Sequence, residues 1–479
     1  MEKRWIFRRW VMLAAVCGLS GMAIAQPDSL WSRQYGQHSY AWGISALQTA
    51  DGGLLLGGNI LQGNNWDFLL VKTEANGDTA WMRPFGAGRY GGGGYLCSLA
   101  DGGYLLAGTT EAEGFYLLKV TANGDSVWSK QYGAFGTDNC TAVVATRDGG
   151  FLLAGYRAYE DRFAAMILKV DANGDSLWSR QFGGPGLQVF YSVNQTPDGG
   201  YICSGMNNYP SAGGYDMWLV RTDSLGFPLW QHMYGGRNNE MYAHVQACSD
   251  GGFVLAGTTN SYGAGIEDVW LLKTNAQGDS LWSRTFGGPN FDECSAVTVL
   301  PDGGIALGAR TMSYGPTGNN FWLIRTDANG DSLWSRVFGT DSDEWCNDVL
   351  ATSDGGFVLL GGVDLPANHY AMWLVKTGRD PVLSAGASFS LPPSTFSLSN
   401  YPNPFNSSTW VSFDLPKAGN ATLKVFDVLG REVVVLRNGP MPAGSHRLLL
   451  DGAGMASGSY VLRLEADGAA QTKKMTLLK

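Results

Sequence analysis

The stretch DGGFVLAGTTNSYGAGIEDVWLLKTNAQGDSLW, residues 250–282, decides the fold. It opens on Asp250-Gly251-Gly252, a tight-turn signal, because Gly accepts positive φ at no steric cost. Phe253-Val254-Leu255-Ala256-Gly257 and Val269–Thr274 then read as two strands. Asn275-Ala276-Gln277-Gly278-Asp279 stands where other copies have Asn-Gly, a hairpin signal, and the strand around Trp282 follows.

Working outward, Asp-Gly-Gly begins at Asp51, Asp101, Asp148, Asp198, Asp250, Asp302 and Asp354, with steps of 50, 47, 50, 52, 52 and 52. A Trp lies 20 residues before each: Trp31, Trp81, Trp128, Trp178, Trp230, Trp282 and Trp334. A basic residue recurs at Lys72, Lys119, Lys169, Arg221, Lys273, Arg325 and Lys376. Four strands per repeat, a to d, seven times over, predict a β-propeller. The chain starts with a lone d strand at Leu30–Gly36 and ends with a, b and c near Lys376. An open stack would leave both ends as exposed edges. The arithmetic therefore predicts a seven-bladed ring closed by the N-terminal strand. A small residue recurs at Gly58, Gly108, Gly155, Gly205, Gly257, Ala309 and Gly361, which suits close backbone approach in strand b. The Trp ring of each d strand is expected to wedge between blades.

The first residues carry Lys3, Arg4, Arg8 and Arg9, an apolar run over 11–19, and Ala23-Ile24-Ala25. This is a signal peptide, 1–25, with cleavage expected after Ala25. No later apolar run is long enough to span a membrane, which takes ~20 residues. Net charge is −9, so a nucleic-acid partner is excluded as an expectation. Six cysteines follow the signal, none in a C-x-x-C pair; Cys140, Cys294 and Cys346 share one repeat position and read as small buried strand residues.

The expected domains are the propeller over 26–377, a linker over 378–394 rich in Ser, Ala and Pro, and a small immunoglobulin-like β-sandwich of about seven strands over 395–479. The blades, through the run Lys273 to Trp282, resemble the repeats of quinoprotein-like propellers and short Asp-Gly-Gly repeats of bacterial surface propellers. That resemblance implies fold; without a Cys-Cys pair and with seven blades rather than eight, it implies no cofactor. Leu398–Asn406, with Tyr401, Pro402, Asn403 and Pro404, resembles the opening of a type A type IX secretion C-terminal sorting domain. Phe426–Val433, with Asp427, Gly430 and Arg431, resembles its central motif, and Lys473, Lys474 and the residues to Lys479 its end. The sandwich also resembles that of flagellar hook-capping proteins. The sorting-domain resemblance implies export, secretion machinery as a partner, and a protein secreted or attached to the outer cell surface.

The stretch from Asp-Gly-Gly to the next basic residue is the variable one: 21, 18, 21, 23, 23, 23 and 22 residues. Length variation thus falls in the b–c loops, which share a face with the d–a connections. A constant scaffold with variable loops is how binding surfaces are built. The candidate ligand face carries Asp138, Glu240, Asp292 and Glu344, with Gln188 in register; as an acidic rim at the channel mouth they could bind a cation through oxygen ligands. It also carries Trp66, Tyr262 and Tyr314, with Tyr159, Tyr209 and Tyr370, which could stack on sugar rings or a protein partner. The five His show no metal-ligand spacing, and no nucleophile elbow or phosphate loop appears. The sequence leans against an enzyme and towards a monomeric binding protein for a glycan or protein. The alternative is a polysaccharide hydrolase or lyase using loop carboxylates such as Glu160, Asp161, Glu267, Asp268 and Asp364.

Overall fold

The computed structural model describes residues 28–382 and 397–478, apart from 38, 87–91, 111–113, 134–137, 212, 367–368, 402, 407, 416–418, 442–443, 453 and 467–468. The expected signal peptide, 1–25, and its expected cleavage after Ala25 lie outside the described residues. Among those described, all regular structure is strand.

Residues 29–377 form seven four-stranded antiparallel sheets. Six are continuous in sequence; blade three, for example, runs Asp138–Ala145, Phe151–Ala158, Phe163–Val170 and Ser176–Phe182 as strands a to d. Blade seven takes a, b and c from Glu344–Ala351, Phe357–Leu365 and His369–Thr377, and its d strand is Ser29–Tyr35. Trp31 pairs with Lys376 and Gln34 with Trp373, so the amino-terminal strand does complete the last sheet. The seam with blade one is closed in turn: Asn347 Nδ2 donates to Gly43 O at 2.7 Å, and the Ala46 N–H donates to Asp348 at 2.8 Å. Links of the same kind join other a strands, as in Asn194 Nδ2 to Val245 O at 2.8 Å.

The two invariant blocks of the repeat have separate tasks. Every strand c cation pairs with the Asp of its own Asp-Gly-Gly, as in Lys72–Asp51 at 2.8 Å and Lys376–Asp354 at 2.8 Å. Apart from Lys119, the cation is buried beside a more exposed Asp, and it also leans on a backbone carbonyl, as Lys72 does on Thr73 O at 2.9 Å. Lys72 and then Thr49 hold the Asp51 carboxyl down to about 2. The middle Gly has the same left-handed φ in every copy, from 82° to 90°.

The recurrent Trp ties each blade to the next. A Cβ on Gly77, Gly124, Gly174, Gly226, Gly278 or Gly330 would fall 2.4–3.0 Å from the ring, or its neighbouring side chain, on the preceding blade's d strand. The ring thus lies on the c–d turn of the following blade, where only Gly leaves room. The same turn supplies an ion pair across the boundary, as in Arg33–Asp78 at 3.3 Å and Lys130–Asp175 at 3.0 Å. The second Asp of Asp-Ala-Asn-Gly-Asp is therefore an inter-blade partner. Close approach in strand b is also borne out: a Cβ on Gly155 would sit 1.8 Å from Asn139 O.

The last blade has no c–d turn, because its chain runs into the linker. Gly378–Asp380 takes that place. Gly378 N–H donates to Asp28 O at 2.9 Å, and Asp380, fully buried, accepts from Trp334 Nε1 at 3.1 Å and from Arg325 Nε at 2.7 Å. The propeller's packing thus reaches past 377 into the stretch expected as linker.

Residues 397–477 form a three-stranded sheet (Ser397–Tyr401, Ser408–Leu415, Gly444–Asp451) and a four-stranded one (Glu432–Met441, Gly419–Asp427, Gly458–Ala466, Ala469–Leu477). They enclose one core around Phe405, Val411, Phe413, Leu423, Val425, Leu462 and Met475, the expected sandwich.

Candidate functional site

Strand a is innermost in every blade, so its residues line the central channel. Side chains alternate along a strand. At Asp138, Gln188, Glu240, Asp292 and Glu344, ten residues before an Asp-Gly-Gly, the side chain is buried, whereas Glu293 and Trp345, nine before, line the channel cavity. That parity decides what each candidate does.

The four carboxylates expected as an acidic rim are on the inward parity. Asp138, Glu240, Asp292 and Glu344 are 0–1% exposed. Glu240 accepts from Gly236 N at 2.8 Å and Thr259 Oγ1 at 2.8 Å; Asp292 accepts from Gly288 N at 2.8 Å, from Ser313 Oγ at 2.6 Å and from Thr311 Oγ1. Glu344 takes the N–H and hydroxyl of Thr340, and Asp138 is gripped in a fork by Arg157. Gln188, 0% exposed, donates to Pro185 O at 3.1 Å. Three of the acids reach back four residues to fasten the d–a connection ahead of them. They are buried loop clasps that accept from nearby N–H and hydroxyl groups rather than a solvent-facing rim. The signal was present in sequence: Thr259 and Thr311 stand directly opposite Glu240 and Asp292 across the a–b pair.

The loop aromatics are partly engaged. Tyr262 and Tyr314 are 45% and 44% exposed. Their hydroxyls donate to Gly235 O at 3.1 Å and Gly287 O at 2.8 Å, and their rings lean on Trp270 and Trp322. Each is a pegged ring with one free side. Trp66 sits half-exposed at the tip of the blade-one b–c hairpin, paired with Leu61. Arg162 covers Tyr159 at 4.6 Å.

Ring closure assembles what the sequence reading did not. Trp42 and Trp345 hold the same repeat position, nine residues before Asp-Gly-Gly, in blades one and seven. They become neighbours only because the circle shuts. Their rings stand 5.3 Å apart; Tyr370 lies 5.1 Å from Trp42 and 6.0 Å from Trp345, and Tyr40 lies 5.4 Å from Tyr370. Of these, only Tyr370 was a candidate.

Inside the mouth is a cavity of about 270 Å³ lined by Tyr191, Tyr242, His244, Glu293, Arg310 and Trp345, among others. Glu293 and Arg310 face each other across the blade-six a–b pair and form an ion pair. Glu267, from the blade-five b–c loop, feels the charges of both Glu293 and Arg310. Burial, then the Glu293 charge, pushes the Glu267 carboxyl up. Tyr242 is the one described non-Gly residue with positive φ, 59°. It sits at an irregularity between Met241 and His244, and Ala243 beside it is fully buried. The left-handed turn is what carries the Tyr242 ring into the channel, 5.6 Å from Tyr191. Among the described residues no group of three or more metal-ligating side chains comes together.

In the sandwich, the motif residues are structural joints. Asn403 Nδ2 donates to Lys474 O at 3.0 Å and its Oδ1 accepts from Thr476 N at 2.9 Å, tying the opening loop to the last strand. Asp427 Oδ1 accepts from Leu429 N and Arg431 N, both at 2.9 Å, around Gly430 at φ 79°. Arg431 Nε closes the turn on Asp427 at 2.7 Å. Pro404 follows Asn403 in that loop, Tyr401 ends the first strand, Pro402 lies outside the described residues, and Lys473 and Lys474 are exposed on the last strand.

Residues 399–477 match the family model of the secretion system C-terminal sorting domain. The chain is thus exported, secreted or attached to the outer cell surface, and its last domain engages secretion machinery. The regulatory protein FlaEY of Caulobacter vibrioides is 25% identical over 181 residues, 33% of this chain; the chain spans 19% of that relative's length. Among solved structures, a eukaryotic initiation factor matches at 12% identity over 85% of this chain and 90% of its own (TM-score 0.33). A mutant Synechocystis apocarotenoid oxygenase matches at 13% over 75% and 95% (0.40), and Sqt1 from Chaetomium thermophilum at 11% over 72% and 87% (0.44). Among the described residues no helix is long and apolar enough to cross a membrane.

Proposed function

We propose that this exported protein binds a glycan at the channel mouth on the b–c and d–a face of its propeller, with the sandwich serving export. The observation that carries the reading is the seam of Tyr40, Trp42, Trp345 and Tyr370, ring against ring. Clustered aromatic faces beside a cavity with a few polar groups are the usual make-up of a small-ligand site. Sugar rings offer C–H faces to aromatics and hydroxyls to the polar groups. Tyr262, Tyr314 and Trp66 extend the surface along the loops. A folded protein partner would bury the loop tips as well, and is the second outcome of the test.

A glycan array on the purified exported protein, repeated with Trp42→Ala and Trp345→Ala, tests this. Defined glycan hits that both substitutions abolish are expected. Hits that survive both substitutions, or none at all, contradict it.

The hydrolase reading has one observation in its favour, the Glu267–Glu293 pair with Glu267 raised. Glycosidases hold their carboxyls ~5 Å apart or more, to leave room for the scissile bond. The reading requires that separation between Glu267 and Glu293. Release of reducing ends that Glu293→Gln abolishes would establish it.

A further inference from the structure

The cavity inside the mouth takes its wall from every blade. Ile44, Tyr95, Thr141, Tyr191, Ser295 and Asn347 line it, each three residues into its a strand, and His244 lines it from blade five. All seven blades therefore encircle it, and it is a well on the propeller axis rather than a groove. About 270 Å³ falls just below the ~300–1,000 Å³ of ordinary ligand pockets. On that scale it holds one sugar ring of a glycan, and a chain that enters, turns and leaves again exceeds it.

Trp345 joins this well to the seam, since its ring lines the well and stands 5.3 Å from Trp42. A glycan lying on the seam thus meets the well beside it. An encircled well admits a chain only end first, whether the chain stops there or threads further. The lining also says what kind of end. Its charged side chains, Glu293 and Arg310, face each other across the a–b pair and form an ion pair, so their charges cancel. Enclosure pushes the His244 imidazole down to about 4, so near neutral pH it presents a donor and an acceptor without charge. An ionised chain end would bring a charge with no partner into this enclosure. A neutral sugar brings hydroxyls for Glu293, Arg310 and His244, and C–H faces for Tyr191, Tyr242 and Trp345. The left-handed backbone at Tyr242 carries one of these rings in, and such strain persists where surrounding structure enforces it.

We propose that the channel well recognises a glycan by its end: one neutral terminal sugar ring is held by Glu293, Arg310 and His244 among Tyr191, Tyr242 and Trp345, with the rest of the chain on the seam. This rests on the glycan-binding reading and names the part of the glycan that is recognised.

The test is titration calorimetry of the exported protein with matched linear and cyclic neutral glucans. The pairs are maltoheptaose against cyclomaltoheptaose and a sophoro-oligosaccharide against cyclosophorose. A cyclic glucan offers an aromatic surface the same kind of sugar ring but has no end. At least one linear probe is expected to bind, and at least about tenfold more tightly than its cyclic partner. Ser295→Leu and Ile44→Phe, which fill the well from two blades, should each remove most of that advantage, with thermal melting to identify a variant as stable as the parent. Trp42→Ala should weaken both members of a pair. If a cyclic glucan binds as tightly as its linear partner, the inference falls and the glycan reading stands. If the advantage survives in a well-filling variant that melts with the parent, the end is held elsewhere and the inference falls. If neither linear probe binds at millimolar concentration, the inference falls and the glycan reading is left to the array.

Discussion

Replacing Asp380 by Ala removes the residue that stands in for the missing turn of the last blade. Its carboxylate is fully buried and joins Trp334 and Arg325 of blade six to the chain that leaves blade seven. Arg325 is itself fully buried and keeps Asp302 as its ion-pair partner, with the Thr326 carbonyl, after the change. Removing one partner of a buried ion pair costs about 3–5 kcal/mol, and the surviving Asp302 pair puts this case at the lower end. Trp334 Nε1 loses its acceptor, which adds about 1–3 kcal/mol, although shared residues make the two terms less than additive. A loss of about 4 kcal/mol is expected. In a domain of this size each kcal/mol moves the melting temperature by about 2 °C, so the shift is about 8 °C. The assay is thermal melting followed by near-UV circular dichroism, where the propeller tryptophans dominate. Asp380→Asn keeps one oxygen acceptor and should lose about half as much. Asp78→Ala, which breaks the exposed Arg33 pair, is the control and should cost under about 1 kcal/mol. If Asp380→Ala melts within about 2 °C of the parent and level with Asp78→Ala, the latch argument is refuted.

Three further outcomes follow from the same packing. Trp178→Ala should cost about 2–3 kcal/mol, less than for a fully buried ring because Trp178 is half-exposed; an unchanged denaturant midpoint would dismiss the Trp-on-Gly contact with Gly226. Tyr242→Gly should not lower stability by more than about 1 kcal/mol, since relief of left-handed strain offsets the lost ring contact, yet it should weaken ligand binding; a larger drop in melting temperature contradicts the strain argument. Asp348 is enclosed at the seam and burial raises its carboxyl to about 6. A raised acid holds its proton longer in the folded state than in the unfolded state. The stability it contributes is therefore full below about pH 4 and lost as pH rises through about 6. Asp348→Asn should gain on the parent across that window in melting curves taken at each pH, and a constant difference would count against it.

The ring was legible because it is arithmetic. A lone strand before Asp51 and a missing one after Lys376 can only complete each other. The tasks of the repeated residues were less legible. Lys72 and its six equivalents showed as a periodic cation, but the partner Asp lies across two strands and only the fold brings them together. The acidic rim failed on parity. Asp292 and Glu293 are adjacent in sequence, yet one turns into the loop and the other to the channel, and composition alone does not say which. Trp42 and Trp345 are 303 positions apart, so no local pattern joins them. Tyr242 needed a backbone angle that no residue type announces. The tail latch left no trace in the repeat: the c–d turns have Gly and Asp five and six residues after the cation, as at Gly77 and Asp78 after Lys72, whereas Gly378 and Asp380 stand two and four after Lys376.

Hydrogen–deuterium exchange with and without a glycan identified on the array tests the assigned binding face most directly. Added protection is expected at residues 40–45, 242–244, 293–295 and 345–347, with the Asp-Gly-Gly turns on the opposite face unchanged. Protection confined to those turns, or to the b–c loop tips around Tyr159 and Tyr209, would contradict the placement of the site at the channel mouth.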